Sequence, residues 1–138
     1  MRVSQRLDYT LRLLVALART PHGGPAAAGD LAAALGLPRR FAEQQMAALV
    51  KSGLTTSRRG TGGGYSLGRS ASEINVLDVV RAVQGDALDV PRSAGSATAE
   101  FWAGTASALE EQLGSTTLAE LARRQAELDA QAAPVYFI

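Results

Sequence analysis

The sequence predicts a mainly α-helical fold with one small β-hairpin, on three observations. Apolar residues recur at helical spacing in three successive segments of the first half. A glycine-tipped stretch with β-rich flanks then breaks that period between residues 54 and 67. Helical spacing resumes after it, first in a valine-rich segment and then, past a Pro/Gly/Ser stretch, in two more. At 138 residues the chain suits one domain with an appendage.

The first helix is expected over residues 4–19. Leu7, Leu11, Leu14, Val15 and Ala18 form its apolar stripe. Pro21-His22-Gly23-Gly24-Pro25 stops it. A short second helix carries Leu31, Ala32 and Leu35, with Gly36 placed to cap its C-terminus. Pro38 suits the first turn of a third helix, because its missing N–H is not needed there. That helix is expected to run to about Ser52 and to bury Ala42, Met46, Leu49 and Val50. Its N-terminal part shows Arg39, Arg40, Glu43 and Gln44. Residues 54–58 and 65–67 read as two strands around Gly60-Thr61-Gly62-Gly63-Gly64. Asn75 can cap a fourth helix, with Asp78 favouring its N-terminal dipole and Val76, Leu77, Val79, Val80 and Val83 apolar on most sides. Residues 86–99 read as a linker. Trp102, Ala106, Leu109 and Leu113 then line one helix face up to Gly114-Ser115, and Thr117-Leu118-Ala119-Glu120 reads as a capping box that opens a last helix bearing Leu121 and Leu128.

The net charge of +1 hides an asymmetry. Residues 1–85 hold 11 Lys/Arg against 5 Asp/Glu, a balance of +6, whereas residues 86–138 hold 3 against 8, a balance of −5. A basic half that meets a polyanion and an acidic half with another task is the expected division. The chain has no cysteine, which excludes disulfides, thiolate nucleophiles and cysteine metal sites. Arg6, Asp8 and Arg12 interrupt the apolar core that a signal peptide requires, and no stretch approaches the roughly 18 apolar residues of a membrane span. A cytoplasmic protein is expected. His22 has no serine or carboxylate pair near it in sequence, and Gly60 to Gly64 lacks the Gly-Lys-Ser/Thr ending of a phosphate loop. No enzyme is expected.

Three helices followed by a glycine-tipped hairpin is the order of a winged helix-turn-helix. A major groove about 12 Å wide admits one helix whose N-terminal residues reach base edges. Arginine can fork onto guanine, glutamine onto adenine, and glutamate can accept from cytosine. Arg58 and Arg59 flank a tip where Gly60 adds no bulk, so a wing can approach phosphate or the minor groove. The expected DNA-contacting set is Arg39, Arg40, Glu43, Gln44, Arg58, Arg59 and Gly60.

On these elements the sequence resembles the Rrf-type bacterial winged-helix transcription regulators, the IscR-, NsrR- and CymR-like family. The shared pattern is Gly36-Leu37, Phe41, Glu43-Gln44, Leu49, Lys51-Ser52-Gly53-Leu54, Ser57, Arg59-Gly60, Gly62-Gly63-Gly64-Tyr65, Leu67 and Ile74-Asn75-Val76-Leu77-Asp78-Val79-Val80. The most specific run is residues 57–67. The resemblance implies a homodimer joined by a long C-terminal helix, with Glu43, Gln44 and Arg59 at DNA-contacting positions. It yields three expected parts: a winged-helix DNA-binding domain over 1–85, a linker over 86–99, and dimerisation helices with a C-terminal tail over 100–138. Trp102, Leu109 and Leu113 are the expected dimerisation residues. Cluster-binding relatives place three cysteines before the dimerisation helix, whereas this chain has Pro91, Arg92, Ser93, Gly95 and Ser96 there. Asp8 stands where some relatives supply a carboxylate ligand, and one aspartate holds no cluster. No cofactor is expected. Pro38 stands where many relatives have serine, and Ala42 and Gln45 where they have leucine.

The expected function is sequence-specific regulation of transcription, as a repressor acting on double-stranded DNA through an inverted-repeat operator. Two alternatives compete with it: a winged helix used for protein contact alone, and a non-specific architectural DNA binder. A small-molecule or protein effector would supply the signal, unless the regulator acts constitutively, and Val83, Leu88 and Val90 with Trp102 are candidates to line a pocket, although core packing is the more frequent explanation of such residues.

Overall fold

Ser4 lies in extended backbone and accepts the Leu7 N–H at 3.1 Å, which opens α1 (Gln5–Arg19). The computed structural model of the chain describes residues 1–132. The buried side of α1 consists of Leu7, Thr10, Leu13, Leu14 and Leu17. Leu11, Val15 and Ala18, expected in the apolar stripe, are only half-buried. The stripe is broader than expected because α1 packs against four other helices rather than one surface.

α2 (Ala28–Leu35) ends at Gly36, which adopts φ +67 as the expected cap. α3 (Arg39–Lys51) follows after only three residues. Pro38 stands just before its first turn, in extended backbone, rather than inside it. α3 buries Ala42, Met46 and Leu49. Val50, expected in the core, is 39% exposed. It lies about 40° round the helix from Met46 but about 100° from Leu49, at the margin of the buried face, where the surrounding elements leave it uncovered.

Gly53, at φ +77, turns the chain into β1 (Thr55–Arg58), which pairs antiparallel with β2 (Gly64–Leu67). Thr55 lies opposite Leu67, and Arg58 opposite Gly64. Leu54, expected in the strand, precedes it and is buried. The hairpin is also tied to the loop between α1 and α2. Ala26 and Tyr65 exchange both backbone hydrogen bonds, at 2.9 and 2.8 Å.

Asn75 opens α4 (Val76–Gln84) through a complete capping box. Its side chain accepts from Asp78 N at 2.9 Å, and the Asp78 carboxylate accepts from Asn75 N at 3.0 Å. Val79 and Val80 are buried, while Val76, Leu77 and Val83 are half-buried at the edge of the core. α5 (Ala97–Gly114) begins before the expected end of the linker, because Ser96 caps it. None of its 18 residues is buried. α6 (Leu118–Ala132) starts with half of the expected capping box. Thr117 Oγ1 accepts Glu120 N at 3.1 Å, but the Glu120 carboxylate meets that same hydroxyl rather than the Thr117 backbone.

A second bridge binds the C-terminal helices to the first half. Leu118 N donates to Ile74 O, and Val76 N to Thr116 O, each at 2.9 Å. Leu118 and Ile74 are both fully buried beside it. The core is therefore continuous from α1, through α3 and α4, to the start of α6. The C-terminal tail of the expected third part, residues 133–138, lies outside the described residues.

Candidate nucleic-acid interface

The two expected DNA-reading elements adjoin each other, since α3 packs against β1. On α3, Arg39, Arg40, Glu43 and Gln44 are all exposed on its N-terminal half. The Arg39 guanidinium donates to the Glu43 carboxylate at 3.0 Å, one turn apart, with Arg39 79% exposed. An exposed pair of this kind is worth about 0.3–0.5 kcal/mol. That is small beside the ~1–3 kcal/mol of a good base contact, so DNA can take either partner from the other.

Gly29, on α2, is a feature that sequence reading missed. A Cβ there would stand 3.1 Å from the Arg39 Nε, so the guanidinium lies over a bare stretch of the neighbouring helix. A glycine inside a short helix, where it costs up to about 1 kcal/mol against alanine, was the available signal.

At the wing, Arg58 ends β1, and Arg59 and Gly60 begin the turn. Both arginines are exposed. Gly60 (φ +93) and Gly62 (φ +76) occupy backbone that favours glycine, and Gly63 N closes the turn on Gly60 O at 3.0 Å. A Cβ at Gly63 would collide with the Arg58 carbonyl oxygen. At Gly64 it would stand 2.6 Å from the Ala26 carbonyl oxygen. The wing is therefore narrow at its tip and held at its base. Arg69, two residues past β2, turns its guanidinium to Asp78 at 3.2 Å, within the capping box of α4.

The expected dimerisation residues lie apart from these, on α5. Phe101 (64% exposed) and Trp102 (44%) touch edge to face, with ring centroids 5.1 Å apart. Leu109 and Leu113 are half-buried against the chain's own core, so they are already partly covered. Among the pocket candidates, Val83 packs on the core, Leu88 and Val90 are half-buried, and Trp102 is exposed. A groove of about 870 Å³ lies elsewhere, between α1, α2 and α6, with Leu11, Val15, Leu35 and Leu121 among its lining residues. The Arg19–Asp129 pair stands in its wall.

Asp8, the position of a carboxylate ligand in some cluster-binding relatives, is engaged by Arg12 at 3.0 Å. No group of three or more His, Cys, Asp or Glu side chains gathers to hold a metal among the described residues. No helix among them is long and apolar enough to cross a membrane.

Comparison with known proteins agrees with this architecture. The Rrf2 family, described as "Iron-dependent Transcriptional regulator", matches residues 3–124. The chain is similar to the HTH-type transcriptional regulator IscR of Escherichia coli, with 32% identity over 94% of this chain and 85% of that protein. Its fold is similar to that of CymR, the global cysteine regulator of B. subtilis, with a TM-score of 0.78 and 31% identity over 90% of this chain and 98% of that one. It is also similar to IscR of T. potens, with a TM-score of 0.76 and 34% identity over 99% of this chain and 95% of that one.

Proposed function

The chain belongs to the Rrf2 family of transcription regulators, with a winged-helix DNA-binding fold, and from that premise we propose that it represses transcription as a homodimer on an inverted-repeat operator. The observation that carries the reading is the exposed set on α3 and the wing. Arg39, Arg40, Glu43 and Gln44 stand on a helix end that a major groove admits. Arg58 and Arg59 stand beside a glycine tip on a hairpin whose base is bonded to the loop before α2. In this reading α3 reads bases, the wing holds phosphate or minor groove, and residues 86–99 link the DNA-binding part (1–85) to dimerisation helices in residues 100–138. Trp102 sits at the dimer contact, with Leu109 and Leu113 closing it.

The family's iron-dependent description meets a chain whose residues do not fit an iron–sulfur cluster. Such clusters are held chiefly by thiolates, and this chain has none. Its single histidine, His22, lies in the loop after α1, and Asp8 is paired with Arg12. Imidazole and carboxylate bind a bridging-sulfide iron centre poorly beside soft sulfur. The signal in this reading is a small molecule or a partner protein.

Selection of bound duplexes from a randomised pool, followed by gel shift at moderate salt, tests the proposal. A recovered inverted repeat bound far more tightly than the unselected pool is expected. Equal binding of both would leave an architectural binder, and no binding would leave a protein-contact module.

A further inference from the structure

Thr10 and Thr55 are the buried polar side chains among the described residues, and both bond to the same helix. Thr10, on α1, donates its hydroxyl to Gln45 Oε1 at 3.3 Å, long for an O–H···O bond and the weaker of the two. Thr55, at the start of β1, donates to the Met46 carbonyl oxygen at 2.9 Å. Gln45 and Met46 are consecutive, so α3 is gripped within one turn by α1 and by the wing. The contact of α1 with α3 is therefore polar at Gln45.

Close packing of Ala42, Met46 and Leu49 limits how far α3 can turn, but apolar contacts alone carry no preferred angle within that limit. Hydrogen bonds are directional, and a buried hydroxyl is costly when it loses its partner. A turn of about 20° moves a group roughly 5 Å from the helix axis by about 2 Å. That displacement exceeds the range of about 0.5 Å over which a hydrogen bond keeps its length. It would break the grip at Gln45, and it would equally misplace Glu43 and Gln44 against base edges.

Resting on the DNA-binding reading, we infer that Thr10 and Thr55 are positioning residues that set the rotation of the recognition helix, and with it the discrimination between operator and other DNA. Neither hydroxyl is required merely to complete the fold. The Met46 carbonyl lies inside α3, where the helix ladder supplies the Val50 N–H. Gln45 is half-buried, so its amide can turn to water.

The test compares the parent chain with Thr10→Val, Thr55→Val, their double variant, and Thr10→Ser and Thr55→Ser. The probes are a duplex recovered by selection with the parent and the unselected pool, with thermal melting recorded for each variant. The double valine variant should lose about tenfold in discrimination, the amount one good base contact supplies. Its affinity for the pool and its salt slope should stay unchanged, because phosphate contacts remain. The serine variants, which keep the hydroxyl, should retain discrimination. Parental discrimination in the double valine variant overturns the inference, as does an equal loss in the serine variants, which would make it a matter of volume. If the valine variants do not fold, Gln45→Leu reads the α1 arm alone. The same direction of loss is expected there, and unchanged discrimination overturns the inference. A parent that prefers no duplex over the pool would instead sink the DNA-binding reading, and this inference with it.

Discussion

Arg59 and Gln44 are both exposed polar side chains, yet they should behave differently on DNA. Arg59 sits beside a turn with no side-chain bulk at Gly60, a geometry suited to phosphate. Arg59→Ala should weaken binding to all duplexes alike and flatten the dependence of log affinity on log salt by about one unit. Gln44→Ala should leave that slope alone and relax preference at one base per half-site, worth ~1–3 kcal/mol. Sequence-independent losses of equal size at both positions would contradict this division, and titrations against single-base operator variants distinguish them. Gly63 permits a third substitution test. Gly63→Ala forces a Cβ onto the Arg58 carbonyl, so the wing must shift. A loss of about 1–3 kcal/mol in stability is expected, together with weaker DNA binding. Melting at parental temperature would refute it. Arg59, Gln44 and Gly63 were legible in the sequence because motif spacing marks them. The diversion of Arg69 to Asp78 was not, since it depends on how the loop after β2 meets α4.

α6 is held on α1 partly by charge. The Arg19 guanidinium donates to the Asp129 carboxylate at 2.6 Å, and the Gln125 amide donates to its other oxygen at 2.9 Å. The Gln125 hydrogen bond first, and Arg19 second, hold the Asp129 carboxyl below the ordinary carboxylate range. A carboxyl depressed in the folded state adds stability that is present above its unfolded pKa and fades as pH falls through its folded one. Both side chains are well exposed, so solvent screens the effect. Amide exchange in α6 should accelerate relative to α1 as the solution is taken from neutral into the acid range. Asp129→Asn should remove much of that difference, and an identical pH response in the two proteins would exclude the carboxylate as its source. The other end of α6 is held by burial. Leu118→Ala should cost about 2–5 kcal/mol, read by denaturant unfolding, because Leu118 is fully enclosed beside the bridge to Ile74. The Asn75 cap of α4 and the capping box of α6 were both visible in sequence, whereas the return bond that makes a full box at α4 came only from the structure. Glu120 turns onto the Thr117 hydroxyl instead, an outcome of side-chain rotation that residue spacing does not specify.

Over the whole chain, α5 is an 18-residue helix with no buried residue. It exposes an aromatic pair on a protein whose other α-helices each bury at least one residue. A second copy is the proposed cover. Light scattering at micromolar concentration should give about twice the 14.4 kDa of one chain. Trp102→Glu should shift the protein toward monomer and weaken operator binding more than binding to a single half-site. A monomeric parent would sink the proposal. The cofactor prediction concerns the same whole. The purified protein should be colourless, and its DNA affinity should not respond to anaerobic preparation or nitric oxide. Near-stoichiometric iron and sulfide after anaerobic purification would overturn this.

Helical period, glycine placement and cap residues are local properties, written in neighbouring residues, and they specified the order of elements, the wing and the family pattern directly. Gly36 as a C-terminal cap and Asn75 as an N-terminal one follow from backbone chemistry within four residues. Which face of a helix is buried is different, because it depends on how many neighbours surround the helix. That is why the stripe on α1 is broader than its spacing suggested and why Val50 points outward. Leu109 and Leu113 were equally legible as apolar, but packing partly spent them on the chain's own core. The joining of Thr10 to Gln45 spans 35 residues, and that of Ala26 to Tyr65 spans the three elements α2, α3 and β1; neither has a local signal. Such pairs arise only when the chain closes on itself, since a hydroxyl or a backbone group finds its partner by proximity in space.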